Sequence, residues 1–284
     1  MRIAAGIGLL AMGVAGAAGV LPAMREVTYP LLWWGLLMLV DEWNFRRRGL
    51  SLWRGNAAAF FAVTVPVSAL LWLFFELLNV PRPEWVYLGG FHTIAGQTAL
   101  GFVAFATVVP IEIEAWWLVR GRIAIAAPLL NVARQWRWAF LVAGIALVAL
   151  PWIQPGPWYW NQGMWIAPAL LLLPFVRAER ADGGTWIADL CASGLLAGFF
   201  WEGLNWASHT HWEYAILKSA PHVFQMPLPG YIGFIPFALT CLAVYEACRT
   251  IRGSIATGVM LWVLAIGLMF VVTEVYFERG IWRP

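Results

Sequence analysis

Long apolar runs separated by short polar segments fill nearly the whole chain. They lie at about 3–21, 29–45, 57–79, 94–119, 138–154, 163–177, 185–206, 230–250 and 255–276, and they are continuous, with no period-two alternation. A helix needs roughly 20 apolar residues to cross the hydrocarbon core, whereas membrane β-strands alternate inward and outward residues. The pattern predicts an all-α polytopic membrane protein with nine transmembrane helices. The first run, "MRIAAGIGLLAMGVAGAAGVLPAM", has the Arg2, apolar centre and small residues of a signal peptide. The loop charges work best if it is kept as a helix.

Composition strengthens the membrane reading. The chain of 284 residues is 62% hydrophobic and 12% charged, with a mean hydropathy of +0.73. A soluble domain carries roughly 25% charged residues, so this chain lacks the groups to cover a water-facing surface. Of its 18 Lys and Arg residues, only Arg25, Arg82, Lys218, Arg279 and Arg283 follow odd-numbered segments; the rest sit at the N-terminus and after the second, fourth, sixth and eighth segments. Positive residues collect on the cytoplasmic side. The expectation is a bacterial inner-membrane protein with its N-terminus in the cytoplasm and its C-terminus outside. The net charge of +3 is this loop bias, with no nucleic-acid signal in it. Cys191, Cys241 and Cys248 lie within apolar runs and read as packing residues.

The sequence also matches itself. "FFELLN" (74–79) aligns with "FWEGLN" (200–205), pairing Glu76 with Glu202 and Asn79 with Asn205. Trp85 and Tyr87 then fall on Trp212 and Tyr214. "GFVAFATVVPIEIEAWWLVRG" (101–121) falls on "GFIPFALTCLAVYEACRTIRG" (233–253), where Gly101, Phe102, Phe105, Ala106, Glu114, Ala115, Arg120 and Gly121 meet identical residues. This predicts a tandem parallel four-helix repeat, 1–121 and 122–253, plus a C-terminal ninth helix in 254–284. An even number of helices per unit gives both the same orientation, related by a pseudo-two-fold axis along the membrane normal.

Carboxyl groups in apolar helices are costly and face a partner or a cavity. Glu76 and Glu202 are expected to face each other or one shared cavity across the axis, with Asn79 and Asn205 three residues on and on the same helix face. Such a pair suits proton donation; it equally suits tying helices together. Glu112, Glu114 and Glu246 form a second level near the other ends. His209, His211 and His222 are candidate metal ligands, but His209 and His211 are two apart and no HExxH pattern occurs. No cofactor is expected. The 20 Trp and 17 Phe residues fit interface belts such as "WYWNQGMW" (158–165) and helix packing, and they also fit a ring-lined cavity. Aromatic faces stabilise a cation by about 0.5–2 kcal/mol each.

"VVPIEIEAWW" (108–117), preceded by Trp85–Val86–Tyr87, resembles the P-x-E-E signature and upstream Trp-x-Tyr element of the small membrane lycopene cyclases of the carotenoid pathway. Those proteins also consist of duplicated few-helix units. The resemblance implies that Glu112 and Glu114 are the acid pair that protonates a lycopene end group, with no redox change.

The expected function is thus a membrane enzyme of cyclase or hydratase type acting on an isoprenoid or other lipid. Its catalytic carboxyls would come from Glu112, Glu114, Glu76 and Glu202. Its substrate contacts would come from Asn79, Asn205, Trp85, Trp212, Tyr87, Tyr214 and Glu246. A non-catalytic subunit that binds lipid, pigment or a membrane-protein partner, a homo-oligomer, and a proton-coupled transporter remain alternatives. Walker-type loops, dinucleotide fingerprints and serine nucleophile elbows are absent, which disfavours ATP-driven chemistry and serine hydrolysis.

Overall fold

A computed structural model describes residues 2–153, 158–177, 180–181, 185–251 and 254–284. Gln154 at the end of the fifth apolar run, and Arg252 and Gly253 at the end of the second copy, lie outside the described residues. The same holds for the side chains of Trp158, Trp160 and Arg180. The protein is mostly helical. Its helices are α1 (Arg2–Ala17), α2 (Thr28–Arg48), α3 (Ala57–Asn79), α4 (Ile94–Val119), α5 (Ala127–Gln135), α6 (Arg137–Ile153), α7 (Ala167–Leu172), α8 (Trp186–Ala207), α9 (Phe234–Thr250) and α10 (Ile255–Glu278).

Among the described residues, five helical segments are long and apolar enough to cross a membrane: α3, α4, α8, Leu228–Thr250 (α9 with the turn before it) and α10. Helices α5 and α6 pass only as a pair, and they meet at a 90° bend. α1 is shorter, and α2 carries Asp41, Glu42 and three terminal arginines. The sixth apolar run yields only the six-residue α7 after a 3-10 turn, because Pro168 and Pro174 punctuate it.

Two prolines shape the longest helices. Pro66 in α3 has no N–H to return to Ala62, and the preceding residues Phe60–Thr64 widen into a π-helical turn. In α4 the ladder breaks just before Pro110. There Ser68 of α3 fills the gap: its Oγ donates to Phe105 O (2.8 Å) and accepts from Val109 N (3.0 Å). The proline of "VVPIEIE" therefore marks a mended helix break. Helices α1 and α2 pack through small residues. A Cβ on Gly35 would meet the Gly6 carbonyl oxygen and the Leu10 backbone nitrogen, each at 2.9 Å, the close approach that small residues permit between membrane helices.

The helices share one end. The strands are β1 (Trp85–Leu88), β2 (Ile125–Ala126), β3 (Arg180–Ala181), β4 (His211–Tyr214), β5 (His222–Val223), β6 (Met226–Pro227) and β7 (Trp282–Arg283); α3 runs into β1, α8 into β4 and α10 into β7, and these three form one sheet in the order β4-β1-β7. The all-helical expectation did not include this sheet. β1 and β4 are antiparallel, with Trp85 opposite Tyr214, Val86 opposite Glu213 and Tyr87 opposite Trp212. A two-fold axis through that pair exchanges Trp85 with Trp212 and Tyr87 with Tyr214. β7 adds to β1 in parallel. The opposite ends of α2, α4 and α9 carry Arg46, Arg47, Arg48, Arg120 and Arg249.

Gly35→Ala is expected to cost about 1–3 kcal/mol by forcing α1 from α2. Gly8→Ala, where a Cβ meets nothing within 4 Å, should be neutral or stabilising by up to about 1 kcal/mol. Thermal unfolding of both variants in mild detergent checks this.

Candidate functional site

The two repeated motifs converge beneath the sheet. Glu76 and Glu202 have no exposed surface. Both oxygens of Glu76 are occupied. Oε1 accepts from Trp72 Nε1 (2.5 Å) and the Tyr87 hydroxyl; Oε2 accepts from Trp85 Nε1 (3.2 Å) and the Tyr276 hydroxyl. Glu202 Oε1 accepts from the Tyr214 hydroxyl at 2.7 Å, while its Oε2 is buried and has no hydrogen bond of normal geometry among the described residues. The Tyr29 hydroxyl is likewise buried and unpartnered. Burial and the neighbouring glutamates push the Tyr87 and Tyr214 phenols well above their usual range, so both remain donors.

Asn79 and Asn205 hold the strands. Asn79 Nδ2 donates to Trp85 O (3.0 Å) and its Oδ1 accepts from Glu84 N (2.7 Å). Asn205 Nδ2 donates to Trp212 O and its Oδ1 accepts from Trp212 N, both at 2.9 Å. Each asparagine spends its amide on the strand that follows its own helix.

Between the halves, Trp72 and Trp201 meet at 5.2 Å between ring centroids. A small cavity of about 40 Å³ lies on one side, lined by Tyr29, Tyr87 and Trp212 among others. A larger one of about 400 Å³ lies on the other. Trp72, Trp85, Trp165, Trp201, Tyr214 and Phe237 supply most of its ring-bearing wall, and Ile232, 68% exposed, stands at its rim. Trp85 and Trp165 lie 5.8 Å apart, and Trp201 and Phe237 6.1 Å. Glu76 and Glu202 do not line either cavity; of their partners, Trp72, Trp85, Tyr87 and Tyr214 do. Leu217, also in the wall, has φ +52°, a left-handed conformation that costs a non-glycine residue about 1–2 kcal/mol.

The acid that reaches the large cavity is Glu84, which the sequence reading passed over. It is 3% exposed. Its carbonyl accepts from Ala215 N (2.7 Å), linking the start of β1 to the end of β4. Oε2 accepts from Gln162 Nε2 (3.0 Å), and the Asn161 side chain also approaches the carboxyl. Burial pushes this carboxyl up to about 7; the side-chain interactions with Gln162 and Asn161 and the charge of Arg82 act in the opposite direction. At neutral pH it is poised to give or take a proton. Its one sequence signal was its place next to Trp85 in "PRPEWVY".

The other predicted residues lie elsewhere. Glu112 and Glu114 are 18 and 20 residues into α4, roughly 25–30 Å from its sheet end at 1.5 Å per residue. They are buried, and each has Oε1 without a partner; Asn44 Nδ2 donates to Glu114 Oε2 at 2.6 Å. Being two apart, they point to different neighbours. Glu246 pairs with Arg249 at 2.8 Å. His209 Nε2 lies 3.4 Å from Glu26, His211 Nε2 lies 3.8 Å from Glu213, and His222 is exposed on β5 (His222–Val223). Among the described residues no three His, Cys, Asp or Glu side chains gather as a metal-binding set.

Comparison with protein-family models, curated proteins and solved structures finds no match to this chain.

The folded-state value of Glu84 lies above the 4.5 of an ordinary glutamate, so the folded protein holds this proton more tightly than the unfolded chain does. The resulting stability, on the order of 3 kcal/mol, is complete below about pH 4.5 and is lost as the pH rises through about 7. Thermal scans from about pH 5 to about pH 8 should show falling stability in the wild type and a flatter profile in Glu84→Gln.

Proposed function

We propose that the protein is a membrane-embedded enzyme that acts on the unsaturated end of an isoprenoid lipid, by proton transfer and without redox change. The observation that carries this reading is the cavity itself: a wall of indole and phenyl rings with one buried, proton-holding carboxyl, Glu84, in it. Protonation of an alkene carbon by Glu84 breaks its O–H bond, forms a C–H bond and leaves a tertiary carbocation. A ring of the wall that faces the cation would favour it by about 0.5–2 kcal/mol. The cation then closes onto a second double bond and returns a proton to the Glu84 carboxylate, which gives a cyclised isomer, or adds water, whose extra proton goes back to Glu84, which gives a hydrate.

The resemblance to membrane lycopene cyclases assigned the acid to Glu112 and Glu114. Neither of them lines the ring-lined cavity, whereas Glu84 does, which favours Glu84 instead. Behind the wall, Glu76 holds Trp72 and Trp85 and Glu202 holds Tyr214. The finer architecture belongs to the same proposal: nine passes, two parallel four-helix units and a last helix, in a bacterial inner membrane with the arginine-bearing end in the cytoplasm. The two-fold exchange across β1 and β4 and the matched roles of Asn79 and Asn205 support the repeat.

Expression in a lycopene-accumulating bacterial host tests the reading. A cyclised or hydrated carotenoid is expected from the wild type, and Glu84→Gln should lower its yield about 100-fold or more while the protein stays folded. Loss of product in Glu112→Gln but not in Glu84→Gln moves the acid to the arginine-bearing end. Unchanged lycopene bound to the purified protein makes it a carrier, and a colourless protein with bulk phospholipid alone sinks the proposal.

A further inference from the structure

The two cavities at the sheet end share part of their wall. Trp72 and Trp201 line both the large one, of about 400 Å³, and the small one, of about 40 Å³. The small one has room for a few water-sized groups, too little for an isoprene unit. One face of α4 supplies much of its lining, through Leu100, Ala104 and Val108. The large one is walled instead by α9 and the turn before it, through Met226, Phe234 and Phe237.

The two rings of this partition are held differently. Trp72 Nε1 donates to Glu76 Oε1 (2.5 Å) and to the Tyr87 hydroxyl (3.2 Å), so trimming Trp72 would take a donor from a buried carboxyl. The Trp201 indole N–H makes no hydrogen bond among the described residues. Trp201 is buried and stands on ring contacts alone. Trp72 lies 5.2 Å from it between centroids, and Trp33 (5.7 Å), Phe237 (6.1 Å) and Trp212 (6.3 Å) meet it edge-on. It can therefore be cut back without unpairing a buried polar group. The repeated motifs also part at this position: "FFELLN" has Phe75 where "FWEGLN" has Trp201. Phe75 stacks on Trp165 at 4.9 Å and lines neither cavity.

A cavity of a few hundred Å³ encloses a small ligand or one end of a long one. How deep a hydrocarbon end enters decides which of its double bonds stands beside Glu84, and such placement is a large part of rate and selectivity. We propose that Trp201 is the floor of the isoprenoid site: it stops the entering end, keeps it out of the small cavity and so selects the double bond that meets Glu84. This inference rests on the reading of the large cavity as an isoprenoid site.

The test uses the full chain in phosphatidylcholine nanodiscs and a farnesol analogue with a diazirine on its terminal isoprene unit. After irradiation, the labelled residues are mapped by peptide mass spectrometry. In the wild type, label is expected at Met226 and Phe237 in the large cavity and not at Leu100 or Val108 in the small one. In Trp201→Ala it should reach Leu100 and Val108. Val103, on the same helix but 42% exposed, reports label that arrives from the surrounding lipid. Trp201→Phe keeps a smaller ring and should give an intermediate shift; it decides the matter if Trp201→Ala does not fold. A tryptophan that serves packing alone would change the melting temperature and leave the label where it was. Label at Leu100 and Val108 already in the wild type, or none there in the folded variants while Met226 and Phe237 stay labelled, overturns the proposal. No label in either cavity of the wild type sinks the isoprenoid reading and this inference with it.

Discussion

A carboxyl group with no exposed surface has to find all its hydrogen bonds inside the protein. Glu76 does so by gathering the hydroxyls of Tyr87 and Tyr276 and the indole N–H groups of Trp72 and Trp85. Much of the sheet end follows from that need. Tyr87 and Trp85 are two apart, so a strand is the local structure that lets both reach back toward one carboxyl, and Asn79 supplies the backbone bonds that start it. A buried polar network of this kind rigidifies its surroundings when every member is satisfied. The ring wall of the cavity is thereby fixed from behind by groups that never enter it.

The second half repeats the solution incompletely. Glu202 has Tyr214 where Glu76 has Tyr87, and Asn205 grips Trp212 as Asn79 grips Trp85. Among the described residues of the second half none plays the part of Tyr276, which comes from the last helix, and Glu202 Oε2 has no hydrogen bond of normal geometry among them. Two carboxyls related by the same motif thus stand in different states, one saturated and one not.

The sequence carried the long helices well. The runs predicted at 57–79 and 94–119 coincide with α3 and α4, since continuous apolar stretches of that length have few alternatives to a helix. The prolines around α7 were visible but their effect was underweighted, and the run at 163–177 became a short helix after a tight turn. The strands were hidden because "WVYL" and "HWEY" read equally as interface aromatics. The match of Glu76 with Glu202 located the buried carboxyls that brace the site. Glu84 has no counterpart in the internal match and lies outside the apolar runs; the approach of Gln162 and Ala215, distant in sequence, helps to bury it. The proline in "VVPIEIE" was read as part of a catalytic signature, whereas its visible role is a helix break bridged by Ser68.

The bond between Glu76 and Tyr276 joins residues 200 positions apart. At a synthesis rate of about 5–20 residues per second, α3 waits about 10–40 s for that hydroxyl. During that interval Glu76 lacks one of its donors, and β1 lacks its neighbour β7, which forms later still. The N-terminal half is therefore a late-finishing part of the molecule even though it is made first. Premature termination before residue 276 would leave an apolar helix with an under-bonded carboxyl, the kind of defect that membrane quality control can recognise by its instability.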